Sequence, residues 1–232
     1  MKTTLSDWQA VEQYADNTDL KFTASYLDLV NSGRFPADAF TLGQLASKGW
    51  LLTELRKVTP RSHPANLAIL GCWIGTLVQQ LKSQVLSLPE WGSEQVTSRI
   101  YGFDQDPATV ALSEQFNHRL VQAGWQYKGV VADVAMLECN NMMFETGGEL
   151  IEVKPDVVIN TSCEHMDSDW FYTCDTDQLI VMQTNDSPDY DGHINTCASI
   201  ADMVAKYPLS NTLYCGALET PAYTRFMQIG YR

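Results

Sequence analysis

From residue 66 onward, short apolar segments alternate with amphipathic ones, and this rhythm limits the folds that the chain can adopt. Five segments have the length and composition of buried strands: NLAILG, RIYGFDQDP, YKGVVADVAML, PDVVINTS and DQLIVMQTN. Three further segments have the apolar spacing of helices: TLVQQLKSQVL, ATVALSEQFNHRLVQAG and ASIADMVAKYP. Strands that alternate with helices in this way predict an α/β fold with a mostly parallel sheet.

Two more strands are predicted near the C-terminus, NTLYCGALE and TRFMQIGYR, with a bend at Thr220 and Pro221 between them. This connection is too short to hold a crossover helix, so the last strand should run antiparallel to the others. The prediction is therefore a seven-stranded sheet with one antiparallel strand.

The first sixty residues have a different pattern, with three candidate helices: LSDWQAVEQYAD, DLKFTASYLDLVNSG and TLGQLASKGWLLTELRKV. The segment TPRSHP, which contains two prolines, then interrupts the chain. We therefore expect a helical N-terminal cap or lid at residues 1–64. It would cover a sheet domain at residues 65–232, with both parts forming one structural unit.

The composition restricts the partners and the compartment. The 232 residues include 28 acidic and 15 basic side chains, a formal net charge of −13, and they contain no Lys/Arg run. Such a chain repels a phosphate backbone, so no nucleic acid partner is expected. No apolar run reaches the roughly 18 residues that cross a bilayer, and the six cysteines are scattered without a C-x-x-C pair. We expect a cytoplasmic protein with reduced thiols and no membrane partner.

The predicted strand ends carry the candidate site, because ligands of open α/β sheets bind beyond the carboxyl ends of the strands. The first strand runs into the loop GCWIG, whose terminal glycines allow a tight turn and close approach of a ligand. The second ends at Asp104, which suits ribose hydroxyls, and the third at Asp133, which suits an adenine amino group. The fourth ends in the polar stretch NTSCEHM. Each signal alone is weak, but their order along the chain favours a cofactor site.

These stretches resemble the motifs of the class I S-adenosylmethionine (SAM) dependent methyltransferases. LAILGCWIG resembles the first motif of that family, YGFDQDP the second, VVADVA the third and PDVVINTSCEHM the fourth. The resemblance covers residues 66–232 and implies a Rossmann-like fold with an antiparallel last strand. NTSCEHM and PAYTRFMQIGY also resemble uncharacterised members of the family encoded by bacterial viruses (bacteriophages).

The resemblance implies SAM as the cofactor and a small-molecule acceptor. Carried onto this chain, it makes these the cofactor-binding residues: Gly71, Cys72, Trp73, Gly75, Asp104, Gln105, Asp133, Val134, Asn160 and Thr161. The expected catalytic residues, for acceptor positioning and proton removal, are Asn160, Glu164 and His165. The expected substrate-binding residues are Ser162, Tyr172, Tyr190 and His193.

Two departures from the family pattern keep other functions open. Trp73 stands where the loop usually has its central glycine, and Ile69 stands where the family often has an acid. An altered loop could orient SAM so that it reacts with itself. The protein would then be a lyase or cyclase that releases methylthioadenosine. A third possibility is a non-catalytic SAM-binding domain that acts through a partner protein. The fourth motif also lacks the Asn/Asp-Pro-Pro-aromatic signature of amino-methylating DNA enzymes.

The stretch around residue 164 also contains potential metal ligands and a potential nucleophile. Cys163, Glu164, His165 and Asp167 fit no recognised ligand spacing, so no metal is expected. Cys163 is expected to be a buried thiol at a strand end rather than a nucleophile.

Overall fold

The computed structural model describes residue 39 and residues 41–91 and 98–232. Within these residues the strands are β1 Asn66–Leu70, β2 Arg99–Asp104, β3 Tyr127–Val131, β4 Met142–Thr146, β5 Glu149–Val153, β6 Val157–Asn160, β7 Leu179–Asn185, β8 Asn211–Glu219 and β9 Thr224–Tyr231. The helices are α1 Leu42–Leu55, α2 Thr76–Gln84, α3 Pro107–Phe116, α4 His118–Gln122, α5 Asp169–Tyr172 and α6 Ile200–Lys206. None of them has the length and hydropathy that a bilayer crossing requires.

Seven strands form one sheet in the order β3-β2-β1-β6-β7-β9-β8. The pairs from β3 through β7 are parallel, whereas β9 runs antiparallel to both of its neighbours, β7 and β8. The predicted sheet, including its antiparallel last strand, is confirmed.

The central strands are apolar on both faces because each face is covered by its own hydrophobic core. On β1, Ala68 and Leu70 belong to one core, whereas Leu67 and Ile69 belong to the other. This alternation follows from the two-residue period of a strand. It explains why NLAIL is a continuous apolar run rather than an alternating one.

Helix α1 contributes to the second of these cores. Leu51, Leu52 and Leu55 are at most 2% exposed and pack in the same cluster as residues of β1, β6, β7 and β9. The helix begins after Thr41, whose side chain accepts a hydrogen bond from the Gln44 amide. This is the third helix predicted from the sequence, and the first two lie outside the described residues.

The order of the strands in the sheet reverses at β1. Strands β2 and β3 extend the sheet on one side of β1, and β6 pairs with its other side. A crevice opens beyond the carboxyl ends of the strands at such a switch point, and this is where ligands of open α/β sheets bind.

Two features differ from the sequence prediction. The stretch between β3 and β6 contains a hairpin, β4 paired with β5, which the strand prediction did not include. Gly147 and Gly148 form its turn with φ values of 62° and 81°, as a two-residue hairpin of the mirror-image turn type requires. A glycine pair between two short apolar segments is the sequence signal for this turn.

The long helix predicted after β2 is instead two helices, α3 and α4, which meet at Asn117. The side chain of Asn117 is fully buried, and its Nδ2 donates to the carbonyl oxygens of Gly75 and Ser113. Asparagine side chains compete in this way with the backbone bonds of a helix, which explains the break.

Candidate functional site

A cavity of about 520 Å³ lies at the carboxyl ends of β1, β2, β3 and β6, at the switch point of the sheet. Its walls come from the loops after these strands, from α1 and from β9. The described residues that line it are Gln44, Lys48, Ile69, Gly71, Cys72, Trp73, Thr76, Leu77, Asp104, Gln105, Ala132, Asp133, Val134, Thr161, Ser162, Glu164, His165, Met166 and Arg225. Eleven of these were predicted from the sequence as site residues.

The loop after β1 has an unusual backbone. Gly71, Trp73 and Gly75 all have positive φ values, of 60°, 49° and 68°. Glycine adopts this left-handed conformation readily, but tryptophan does so at a cost of about 1–3 kcal/mol. The amide of Trp73 donates to Asp104 Oδ2 at 3.0 Å, which ties the strained loop to the end of β2.

Gly71 and Gly75 have different surroundings. A side chain at Gly71 would approach Ser162 and Met166, so the glycine keeps this wall of the cavity open. Gly75 does not line the cavity: it is buried, and a side chain there would collide with Ser113 and Asn117 of the α3 region. Its position makes Gly75 a packing residue that precedes α2.

Cys72 lines the cavity but is held as a thiol. It is 8% exposed, and burial raises its pKa to about 12. Cys163 is fully buried, and burial likewise raises its pKa. Neither sulfur is suited to act as a nucleophile near neutral pH.

The carboxylate of Asp104 stands at the end of β2 and faces the cavity. Its Oδ2 accepts from the Trp73 amide, and its Oδ1 accepts from the Asp106 amide at 3.1 Å. A carboxylate has about four acceptor sites, so both oxygens can still accept bonds from a ligand. Asp106 does not line the cavity, and its side chain caps α3 through the amides of Ala108 and Thr109.

The loop after β3 forms another wall. Asp133 is exposed, and its Oδ1 accepts from the Ala135 amide, which starts a short 3-10 turn at Val134–Met136. Ala132 and Val134 present apolar surface beside it. Gln105, which follows β2, lines the same region of the cavity.

Asn160, at the end of β6, lies beneath the cavity rather than in its wall. It is fully buried, its Oδ1 accepts from the Ser162 amide at 2.9 Å, and its Nδ2 lies 3.1 Å from the Met166 sulfur. These bonds shape the turn that presents Thr161 and Ser162 to the cavity.

A buried ion pair joins this turn to β9. The Arg225 Nη2 donates to Glu164 Oε1 at 2.8 Å, and the two side chains are only 5% and 2% exposed. Asn185 Nδ2 donates to the same oxygen at 2.7 Å, and Arg225 Nη1 donates to the Thr161 carbonyl at 3.2 Å. The arrangement fixes Glu164 in place and puts a permanent positive charge in the cavity wall.

Helix α1 supplies a second basic group. Lys48 is 7% exposed, and its Nζ donates to Gln44 Oε1 at 2.7 Å. Burial, with a smaller contribution from the charge of Arg225, lowers the pKa of Lys48 from 10.5 to about 7. A lysine that titrates near neutral pH can accept or donate a proton in the cavity.

The predicted substrate-binding residues lie in different places. Ser162 lines the cavity, whereas His193 does not, although its ring lies 4.6 Å, centroid to centroid, from that of the predicted catalytic residue His165. Tyr190 is exposed, packs against His193 and against Tyr223, and does not line the cavity. Tyr172 is not brought to the site, because it lies on α5, where its hydroxyl donates to the Lys206 carbonyl.

Arg225, Lys48 and Gln44 were not predicted from the sequence. Arg225 could have been identified from the sequence, because a charged side chain inside the apolar strand TRFMQIGY needs a buried partner. Lys48 and Gln44 could not, because nothing in the local sequence distinguishes them from surface residues of a helix.

Comparison with protein-family models finds no match to this sequence, and comparison with curated proteins finds none either. Solved structures do match. N-methyltransferase NodS from Bradyrhizobium japonicum WM9, in complex with S-adenosyl-L-homocysteine (SAH), has a TM-score of 0.56 and 11% identity, over 92% of this chain and 99% of NodS. Magnesium protoporphyrin IX methyltransferase (ChlM) from Synechocystis PCC 6803, with bound SAM, has a TM-score of 0.53 and 17% identity, over 100% of both chains.

At such low identity the likeness establishes the fold. The chain has the Rossmann-like fold of the class I SAM-dependent methyltransferases, with the strand order and the antiparallel last strand described above. The fold expected from the resemblance of the motifs is confirmed.

Proposed function

We propose that the protein is a SAM-dependent methyltransferase that acts on a small-molecule acceptor. The observation that carries the proposal is the cavity at the switch point, where the glycine loop, Asp104 and the Thr161–Ser162 turn converge within a methyltransferase fold. Its volume of about 520 Å³ is in the range of small-molecule sites.

We assign the walls of the cavity to the three parts of SAM. The adenine would lie against Ala132 and Val134, with Asp133 near its amino group. Asp104 would accept bonds from the ribose hydroxyls. The methionine part would lie along Gly71, toward the N-terminal end of α2. The positive end of that helix favours the methionine carboxylate.

In the proposed reaction, a lone pair of the acceptor attacks the methyl carbon of SAM. The bond from carbon to sulfur breaks, its electrons return to sulfur, and SAH forms. The work of the protein is to align the two reactants and to exclude water. We assign removal of the acceptor proton to His165, and the positioning of His165 to Glu164. Asn160 would act indirectly, by shaping the turn at Ser162.

The net charge of −13 supports a small acceptor rather than a nucleic acid, because a phosphate backbone would be repelled. We also propose that the protein is located in the cytoplasm and that it is encoded by a bacteriophage. The N-terminal residues are proposed to form a lid over the site.

The test of the cofactor site compares two aspartates that are neighbours in sequence. Asp104→Asn should weaken SAH binding about tenfold or more, because a charge-assisted hydrogen bond contributes about 1.5–3 kcal/mol. Asp106→Asn is the matched control, since Asp106 only caps α3 and asparagine caps a helix equally well. Isothermal titration calorimetry with SAH measures both. Equal affinity in the two variants would contradict the proposed site.

The reaction is tested by incubating the protein with SAM, first alone and then with a panel of small acceptors. Production of SAH only when an acceptor is present supports methyl transfer. Methylthioadenosine formed without an acceptor would instead identify the lyase or cyclase. Binding without turnover would identify a SAM-binding domain that acts through a partner.

A further inference from the structure

Two loops beyond the sheet are held together by backbone bonds next to the cavity. One is the 3-10 turn Cys163–His165 after β6, and the other is residues 186–199 after β7. The amides of Ile194 and Asn195 both donate to the Glu164 carbonyl, at 2.9 and 3.0 Å. These bonds fix the position of the two loops relative to each other, and therefore also the positions from which their side chains extend.

Each loop presents one histidine, and the two rings meet edge to face. His165 Nδ1 lies 3.1 Å from the Gly192 carbonyl oxygen, and His193 Nδ1 lies 2.5 Å from the Ser187 carbonyl oxygen. A carbonyl oxygen can only accept, so Nδ1 donates in both rings. In the neutral tautomer, this leaves a lone pair on each Nε2. Metal-binding histidines are typically oriented by such a bond from their other nitrogen.

Glu164 provides a carboxylate to the same arrangement. Its Oε1 accepts from Asn185 and Arg225, whereas its Oε2 is buried and has no hydrogen-bond partner. A buried carboxylate oxygen without a partner is costly unless a cation or donor binds to it. The ion pair with Arg225 keeps the carboxylate oriented and does not occupy this second oxygen.

We propose that Glu164, His165 and His193 bind a divalent transition-metal ion. One ligand atom from each of the three residues lies within 4.8 Å of the others. Ligands on a common tetrahedral ion are about 3.3 Å apart when the metal-ligand bonds are about 2.0 Å. The ring of His165 is exposed, and binding of an ion would require it to move closer to the other two ligands.

The ligand set indicates the class of metal. Two imidazoles and one carboxylate suit zinc, cobalt, iron or manganese, whereas calcium and magnesium prefer oxygen ligands. Three protein ligands leave at least one coordination position open, as in catalytic rather than structural sites. Glu164 and His165 line the cavity, so the open position would face the bound acceptor.

The role of the ion, unlike the site itself, rests on the proposed methyl transfer. An acceptor hydroxyl bound to the ion would lose its proton to water at a lower pH, and the resulting oxygen anion would attack the methyl carbon. His165 would then bind the metal through the lone pair on Nε2 and could not accept a proton there. The metal would activate the acceptor instead. The inferred acceptor class is a small molecule with a metal-binding hydroxyl.

The site is tested by equilibrium dialysis of the chelator-treated protein against Co²⁺ or Zn²⁺, with elemental analysis. The wild-type protein should bind about one ion per chain. His193→Gln and His165→Gln should each weaken binding about 100-fold, because even the loss of a residue that only orients a ligand costs 10–100-fold. His63→Gln is the matched control, since His63 is exposed and lies outside the cluster.

Circular dichroism of each variant reports whether it folds, and the visible spectrum of bound Co²⁺ reports the loss of nitrogen ligands independently of affinity. A wild-type protein that binds neither ion, or a His63→Gln variant that loses as much affinity as His193→Gln, would overturn the proposal. Titration with SAH separates the two hypotheses. Metal binding without SAH binding would contradict the proposed function but not the metal site. SAH binding without metal binding would contradict only the metal site.

Discussion

At the scale of single residues, Trp73 combines a cost in the backbone with a position in the cavity wall. Its φ of 49° is one that glycine adopts freely, and the residue lines the cavity together with Gly71 and Asp104. Strained residues of this kind concentrate at functional sites, where the surrounding structure holds them in place. We therefore expect that the indole ring, rather than the backbone, is the reason for a tryptophan here.

Two substitutions of Trp73 separate these effects. Trp73→Gly and Trp73→Ala both remove the ring, so both should weaken SAH binding to a similar extent. Only alanine keeps a Cβ in the left-handed region. Trp73→Gly should therefore be the more stable of the two by about 1 kcal/mol, despite the greater chain entropy of glycine in the unfolded state. Urea denaturation measures the difference, and an alanine variant of equal or greater stability would contradict the assigned strain.

At the scale of elements, α1 joins the sheet through polar groups as well as leucines. Ser47 Oγ donates to Gln183 Oε1 at 2.8 Å, and Gln183 Nε2 donates back to the Ser47 carbonyl at 3.2 Å. Arg225 Nη1 also donates to Ser47 Oγ. The same helix turn carries Lys48, so the docking of α1 is what buries this lysine next to the site.

Burial of Lys48 makes the stability of the protein depend on pH. The pKa of Lys48 is about 7 in the folded chain and 10.5 when the side chain is solvated. Between these values the unfolded chain binds more protons, so this group makes stability rise with pH across that window. Below pH 7 the lysine is protonated in both states and contributes no further slope.

Lys48→Met should therefore flatten the dependence of the unfolding free energy on pH between about 7 and 10. The measurement is urea denaturation at several pH values in that range. Lys57→Met is the control, because Lys57 follows α1 and is exposed on the surface. The assignment fails if Lys48→Met keeps the slope of the wild-type protein, or if Lys57→Met loses as much of it.

The elements also show which parts of the structure the sequence could predict. The periods of helix and strand are local, so α1, α2 and the seven strands of the sheet were predictable. The break at Asn117 and the turn at Gly147 and Gly148 depend on individual residues. A pattern of hydrophobicity averaged over a window does not detect them. The pairing of Arg225 with Glu164 joins residues 61 positions apart, and no local pattern specifies such a partner.

At the scale of the whole molecule, the site is assembled from most of the length of the described chain. The strand ends could be predicted to converge, because parallel strands present their carboxyl ends at one edge. The meeting of His165 with His193 could not, since it depends on how the loop after β7 folds back over the turn after β6. The sequence thus predicted a cofactor site and no metal, whereas the metal site proposed above depends on His193 lying beside Glu164 and His165.

The boundary at residue 64 remains a prediction, and truncation tests it. A chain that begins at residue 39 keeps α1 and should fold, because the described residues build both hydrophobic cores. A chain that begins at residue 65 loses Leu51, Leu52 and Leu55, each of which contributes about 1.5–3 kcal/mol by burial. That loss is comparable to a total stability of about 5–15 kcal/mol, so the shorter chain should not fold cooperatively.

Thermal unfolding followed by circular dichroism distinguishes the two truncated chains. If the chain from residue 65 unfolds with the same midpoint as the one from residue 39, the predicted division into cap and sheet domain would hold at residue 64. If only the longer chain folds, α1 belongs to the sheet domain, and any lid is confined to the residues before it. Comparison of SAH affinity and turnover between this longer chain and the full chain then tests the lid itself, because removal of a lid that only excludes water should lower turnover more than affinity.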